Sequence, residues 1–115
     1  MCSQSVLNTI TSEVVKAAKE HLGDKIDKVI LYGSYARGDH DSESDIDIMV
    51  LANIDNDEEL RETEKALWDI GWDIGYEYDV LVAVYFKDCE TFYKYVDDLP
   101  FYMSVQKDGV ELYAN

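Results

Sequence analysis

From Asp45 to Leu51 the chain reads Asp-Ile-Asp-Ile-Met-Val-Leu. Aliphatic side chains at 46, 48 and 50 alternate with aspartates at 45 and 47, and a period of two belongs to a β-strand, since helical apolar positions recur at three and four. Ile46, Ile48 and Val50 therefore share one face, and Asp45 and Asp47 the other. A second run, Tyr78 to Phe86, repeats the design with Val80, Val82 and Val84 against Asp79. Residues two apart on a strand lie about 6.6 Å apart and adjacent strands about 4.8 Å apart. If the two strands are neighbours, Asp45, Asp47 and Asp79 converge. The fold has to bury two aliphatic faces while gathering carboxylates on the opposite side.

The other segments supply what such a sheet needs. Ser3 or Ser5 caps a first helix whose Val6, Ile10, Val14, Ala17 and Ala18 share a face, and Gly23 stops it. Lys28 to Tyr32 reads as the first strand, cut off by Gly33-Ser34, where a short helical turn starts; Gly38 to Ser44 is a loop. Asn53 to Asp57 offers N-caps for the longest helix, striped by Leu60, Thr63, Leu67, Ile70 and Ile74. Asp88 to Val96 is helical, Pro100 ends that element, and Ser104 to Tyr113 reads as a turn with a final edge strand. This alternation predicts an α/β (α+β) fold, a mixed sheet of three to four strands flanked by helices. There is no internal repeat or Pro/Ser-rich linker, and 115 residues suit one core, so residues 1–115 read as a single domain.

Charge narrows the function. With 25 Asp and Glu against 10 Lys and Arg the formal net charge is -15, which repels phosphate backbones and anionic membrane surfaces. A cationic partner or bound metal ions fit better, and no direct nucleic-acid contact is expected. The longest strongly apolar run, Val80 to Phe86, falls well short of a membrane span of roughly 20 residues, and no export signal opens the chain. Cys2 and Cys89 match no metal-ligand spacing, which points to free thiols in a reducing, cytoplasmic setting.

Three ionised carboxylates in one place repel unless a cation compensates them. Magnesium takes one or two carboxylates together with water and substrate phosphates, and two such ions clamp the attacking and leaving oxygens of a phosphoryl displacement. Taken alone, Asp45, Asp47 and Asp79 are also what the solvated face of an exposed strand carries. Gly33-Ser34, between strand and helical turn, suits a triphosphate, glycine allowing close backbone approach and the serine hydroxyl adding a donor. It equally suits an ordinary capped turn. Arg37 is placed either to contact phosphates or to pair with a local carboxylate, and Ser44 either to brace the loop or to sit as a plain surface serine.

Read together, Gly33-Ser34-Tyr35-Ala36-Arg37-Gly38, five intervening residues, then Ser44-Asp45-Ile46-Asp47 resembles the signature of the DNA polymerase β-like nucleotidyltransferase superfamily, in particular its minimal nucleotidyltransferase (MNT) branch. Six residues fixed in identity and offset coincide by chance on the order of 10⁻⁵ times per chain. The resemblance implies a polymerase β-like fold with Asp45 and Asp47 bridging two magnesium ions, and Asp79 ligating the ion at the attacking hydroxyl. It implies nucleotide contacts from Gly33 and Ser34, with Arg37 and Ser44 as further candidates. Larger branches carry an acceptor domain, whereas about 30 residues follow the third strand here, so the acceptor is expected to be a separate macromolecule. MNT proteins pair with HEPN-domain toxins, implying transfer of AMP from ATP to a tyrosine of a HEPN partner. Two other functions share the motif: an antitoxin acting by occlusion alone, and a small-molecule (aminoglycoside-type) nucleotidyltransferase whose pocket a homodimer would complete. Trp68, Trp72, Tyr76, Tyr93, Tyr95, Phe101 and Tyr102 form an aromatic set divided between core and partner surface. His21 and His40 read as helix-end and loop residues.

Overall fold

A computed structural model describes residues 3–115; Cys2 lies outside the described residues. Helix α1 (Gln4–Leu22) opens where the Ser3 hydroxyl accepts from the Val6 amide and closes at Gly23, and a 3-10 turn (Gly23–Lys25) leads into β1 (Ile26–Tyr32). After the four-residue α2 (Ser34–Arg37) come β2 (Ile46–Ala52) and the long α3 (Asp57–Tyr78). The Asn56 side chain caps α3 by accepting from the Glu59 amide, and three acidic residues in the first turn favour the helix dipole. Strand β3 (Val82–Asp88), helices α4 (Cys89–Tyr95) and α5 (Pro100–Asp108) and strand β4 (Val110–Ala114) complete the chain.

The sheet has the order β3-β2-β1-β4. β1 is antiparallel to β2 and β4, and β2 is parallel to β3, so this is a mixed four-stranded sheet flanked by helices. Both faces are covered. Against one, α1 and α3 bury Ile10, Val14, Ala18 and Leu67 over Val29, Ile46, Ile48, Val50 and Val84. On the other, Phe92 of α4 and Tyr102 and Val105 of α5 pack on Ile30, Met49 and Leu51. The expected aliphatic face of β2 is the first core, and its opposite face is buried too, beyond the aspartates. Among the described residues no helix is long and apolar enough to cross a membrane.

Two differences from the sequence reading matter. Pro100 does more than end an element: at the first position of α5, where a missing N–H costs nothing, it starts the helix that covers the second face, and Ser104 belongs to it. More consequentially, the strand expected from Tyr78 starts at Val82, because α3 continues through Tyr78. Gly71 and Gly75 hold it there. A Cβ on Gly71 would lie 2.5 Å from the Val82 carbonyl oxygen, and one on Gly75 would lie 2.4 Å from that of Val80, so α3 rests its backbone on β3. Gly71→Ala should thus invert the usual effect of alanine. In an exposed helix it stabilises by about 0.5–1 kcal/mol; here a loss of about 1–3 kcal/mol is expected in urea unfolding, from overpacking against a backbone that cannot yield.

Candidate active site

The turn after β1 and the start of β2 meet at one end of the sheet. Tyr32, the last residue of β1, pairs with Asp47, and Asp47 pairs on its other side with Ala83 of β3. Gly33 follows at φ +75°, a left-handed conformation that glycine tolerates. A Cβ there would sit 2.6 Å from Asp47 Oδ2, so the absent side chain is what lets the carboxylate lie against the turn. The α2 turn is closed by amides of Ala36 and Arg37 donating to the Gly33 carbonyl, and Gly38 caps it at φ +81°.

Asp45 is exposed and Asp47 half-buried. Burial, reinforced by the Asp45 charge and opposed by Arg37, raises the Asp47 carboxyl from 3.8 to about 6. Burial also raises the neighbouring Tyr32 phenol, which feels the charges of Asp47 and Tyr85. Arg37 meanwhile donates from Nε to Asp39 Oδ2 at 3.2 Å. Arg37 thus pairs with a local carboxylate at the surface and also places a positive charge within reach of Asp47. Ser44 braces the loop: its hydroxyl accepts from the Asp41 amide at 2.9 Å, and its own amide donates to the Asp41 carbonyl. His40 stacks on Tyr35 with ring centroids 4.0 Å apart, fixing the same loop.

Asp79 is not brought to this place. It terminates α3 in the left-handed region, φ 55° and ψ 46°, where its amide donates to the Gly75 carbonyl. Counting alternation backwards from Val82 therefore fails across the helix end. Asp79 instead lines a groove with Trp72, Tyr76 and Leu81, whereas Asp47 opens onto a different one. Among the described residues no group of three or more His, Cys, Asp or Glu is arranged to hold a metal ion. The convergence of three carboxylates is thus corrected to a pair, Asp45 and Asp47.

The groove at Asp47 has a volume of about 970 Å³ and crosses the edge strand β3 between α3 and α5. Aromatic rings line it: Tyr85 lies 5.6 Å from Trp68 and 6.4 Å from Tyr32, whose ring meets Phe101 edge-on at 5.7 Å. Trp68 and Phe101 belonged to the aromatic set marked in the sequence. Arg61, Lys65 and Lys87 did not stand out, although 61, 65 and 68 fall on one helical face, because the sequence does not show that this face overlooks the end of β3.

Residues 11–108 match a family described as the nucleotidyltransferase domain. This chain belongs to that family. It is a nucleotidyltransferase by this match, and a relative from Methanocaldococcus jannaschii, provisionally named a protein adenylyltransferase, is 35% identical over 106 residues covering 87% of this chain and 96% of its own length. Among solved structures, a toxin-antitoxin complex with AMP-PNP contains a similar chain at TM-score 0.58 and 22% identity, covering 91% of this chain and 73% of that one. A complex of a tri-AMPylated Shewanella oneidensis HEPN toxin with its MNT antitoxin gives TM-score 0.54 at 21% identity, covering 93% and 71%. At these identities the likeness carries the fold.

Proposed function

We propose that this nucleotidyltransferase moves AMP from ATP onto a hydroxyl, a tyrosine in our reading, of a HEPN-domain toxin and so acts as its antitoxin. The observation that carries the proposal is the Asp45–Asp47 pair with Asp47 seated against the Gly33 turn, in a family whose curated relative bears the name of a protein adenylyltransferase. In the transfer the acceptor oxygen bonds to the α-phosphorus, the bond from that phosphorus to the bridging oxygen breaks, pyrophosphate leaves, and the hydroxyl proton passes to solvent. Gly33 and Ser34 admit the phosphates to the backbone, Arg37 adds positive charge beside them, and Ser44 contributes through the turn it closes.

The donors suit magnesium, an oxygen-preferring ion that completes its shell with water and substrate phosphates. Asp45 and Asp47 would hold it, which would neutralise the repulsion raising the Asp47 carboxyl. When bound, such an ion supplies charge stabilisation for the phosphorus centre. Asp79 is left out of this set. That omission favours one rival, an antitoxin that inhibits by binding alone, and a single experiment separates the two. The protein is incubated with α-labelled ATP, magnesium and a purified candidate HEPN-domain protein. Label is expected on the HEPN band, and EDTA or Asp45→Ala should remove it. Stable binding of the HEPN protein without label would overturn transfer in favour of occlusion.

A further inference from the structure

The groove beyond Asp47 has no part yet in this account, and its chemistry is unlike that of the surrounding surface. Three of the ten Lys and Arg of a chain at net charge -15 line it: Arg61, Lys65 and Lys87. Lys65 donates to Asp69 at 2.9 Å, and Glu64 and Asp47 supply the opposing charge. We infer that this groove binds the acceptor polypeptide, and that Arg61 and Lys87 select a segment carrying acidic residues about four positions from the accepting tyrosine.

The inference rests on the transfer reading above and adds the acceptor's chemistry. The side of approach comes from strand order. Across this end of the sheet lie the Gly33–Ser34 turn after β1, then Asp47 on β2, then Ala83 on β3. With the triphosphate tail at the turn, pyrophosphate departs toward β1. Attacking and leaving oxygens lie roughly in line on opposite sides of phosphorus, so the hydroxyl arrives from the β3 side. The groove opens there, and it is continuous with Asp47.

Its length sets the spacing. Ala83, Tyr85 and Lys87 alternate on one face of β3, so Lys87 lies about 13 Å along the strand from the residue opposite Asp47, at about 3.3 Å per residue. An extended acceptor covers that distance in about four residues. Near the reacting end, Tyr85 and Trp68 are 42% and 44% exposed, offering flat apolar contact to a tyrosine ring and the backbone beside it. At the far end Arg61 and Lys87 meet carboxylates. The rest of this acidic surface would favour a basic segment, so a preference for acidic sequence is diagnostic of the groove.

The test uses the full chain, magnesium and a nonhydrolysable ATP analogue, with fluorescein-labelled nonapeptides as probes. In both a central tyrosine is flanked by two glycines on each side; one ends in paired glutamates and the other in paired lysines. The glutamate peptide is expected to bind at least about 10-fold more tightly by fluorescence anisotropy. The double variant R61E/K87E should abolish that preference while leaving the affinity for the ATP analogue unchanged. Equal binding, a preference for lysine, or no binding of either peptide would overturn the inference. So would a loss of ATP-analogue affinity in the double variant, which would assign the groove to the nucleotide. Glutamate-peptide selection lost in the variant, without any labelling of a HEPN partner, would contradict the transfer reading and with it the acceptor role, leaving the groove as a binding site for acidic polypeptide.

Discussion

Replacing Asp47 by asparagine should abolish transfer and, at the same time, stabilise the metal-free fold. The first effect follows from removing one of the two carboxylates proposed to hold the ion: losing several kcal/mol of charge stabilisation at 1.36 kcal/mol per tenfold lowers the rate on the order of 10³-fold. The second follows from the carboxyl's position. Burial and Asp45 raise it from 3.8 to about 6 in the folded protein. Between about pH 4 and pH 6 the folded chain therefore retains a proton that the unfolded chain has released, so stability falls as pH rises through that window. Above it the folded state carries the full penalty of a charged, half-buried carboxylate. Two pK units would amount to about 3 kcal/mol, and solvent screening of a half-exposed group reduces this to about 1–2 kcal/mol. Urea unfolding in EDTA should show Asp47→Asn more stable than the parent at pH 7.5, the gap closing by pH 4. An equal or lower stability at pH 7.5 would mean that Asp47 is not held against its preference.

Gly33→Ala is expected to be the most damaging change outside the carboxylates. At φ +75° and ψ -157°, a region essentially reserved for glycine, alanine costs about 1–3 kcal/mol of backbone strain, and its Cβ would meet Asp47 Oδ2 at 2.6 Å, forcing the carboxylate or the turn aside. A displacement of about 1 Å in such a site lowers rate about 100-fold. Gly38→Ala separates the two causes. Gly38 also has a positive φ, +81°, but with ψ 10° it lies in the ordinary left-handed helical region, and nothing lies within 4 Å of where its Cβ would stand. It should lose less stability than Gly33→Ala and keep its transfer rate. If Gly33→Ala and Gly38→Ala lose activity equally, the contact with Asp47 is not what demands glycine at position 33.

The legible parts of this molecule were those set by local pattern. Ile46, Ile48 and Val50 announced a buried strand face, Ser3 and Gly23 bounded the first helix, and the glycine-serine turn followed by paired aspartates carried the resemblance to the nucleotidyltransferases. What stayed hidden depended on contacts between distant segments. The end of α3 is set by Gly71 and Gly75 lying on the β3 backbone, an approach that glycines in a helical stripe do not advertise. That contact carries the helix through Tyr78 and turns Asp79 away from the strand phase the sequence suggested. Likewise, Arg61 and Lys87 are 26 positions apart and acquire a common meaning once α3 crosses the edge of the sheet.

The central claim is that Asp45 and Asp47 together hold a divalent cation beneath a nucleoside triphosphate at the Gly33 turn. Isothermal titration of a nonhydrolysable ATP analogue, with and without manganese, tests it most directly when done in parallel on the parent and on Asp47→Asn. Binding should be manganese-dependent in the parent and lose that dependence in the variant, with both proteins folded. Equal heats with and without the ion, or an unchanged dependence in Asp47→Asn, would contradict the claim.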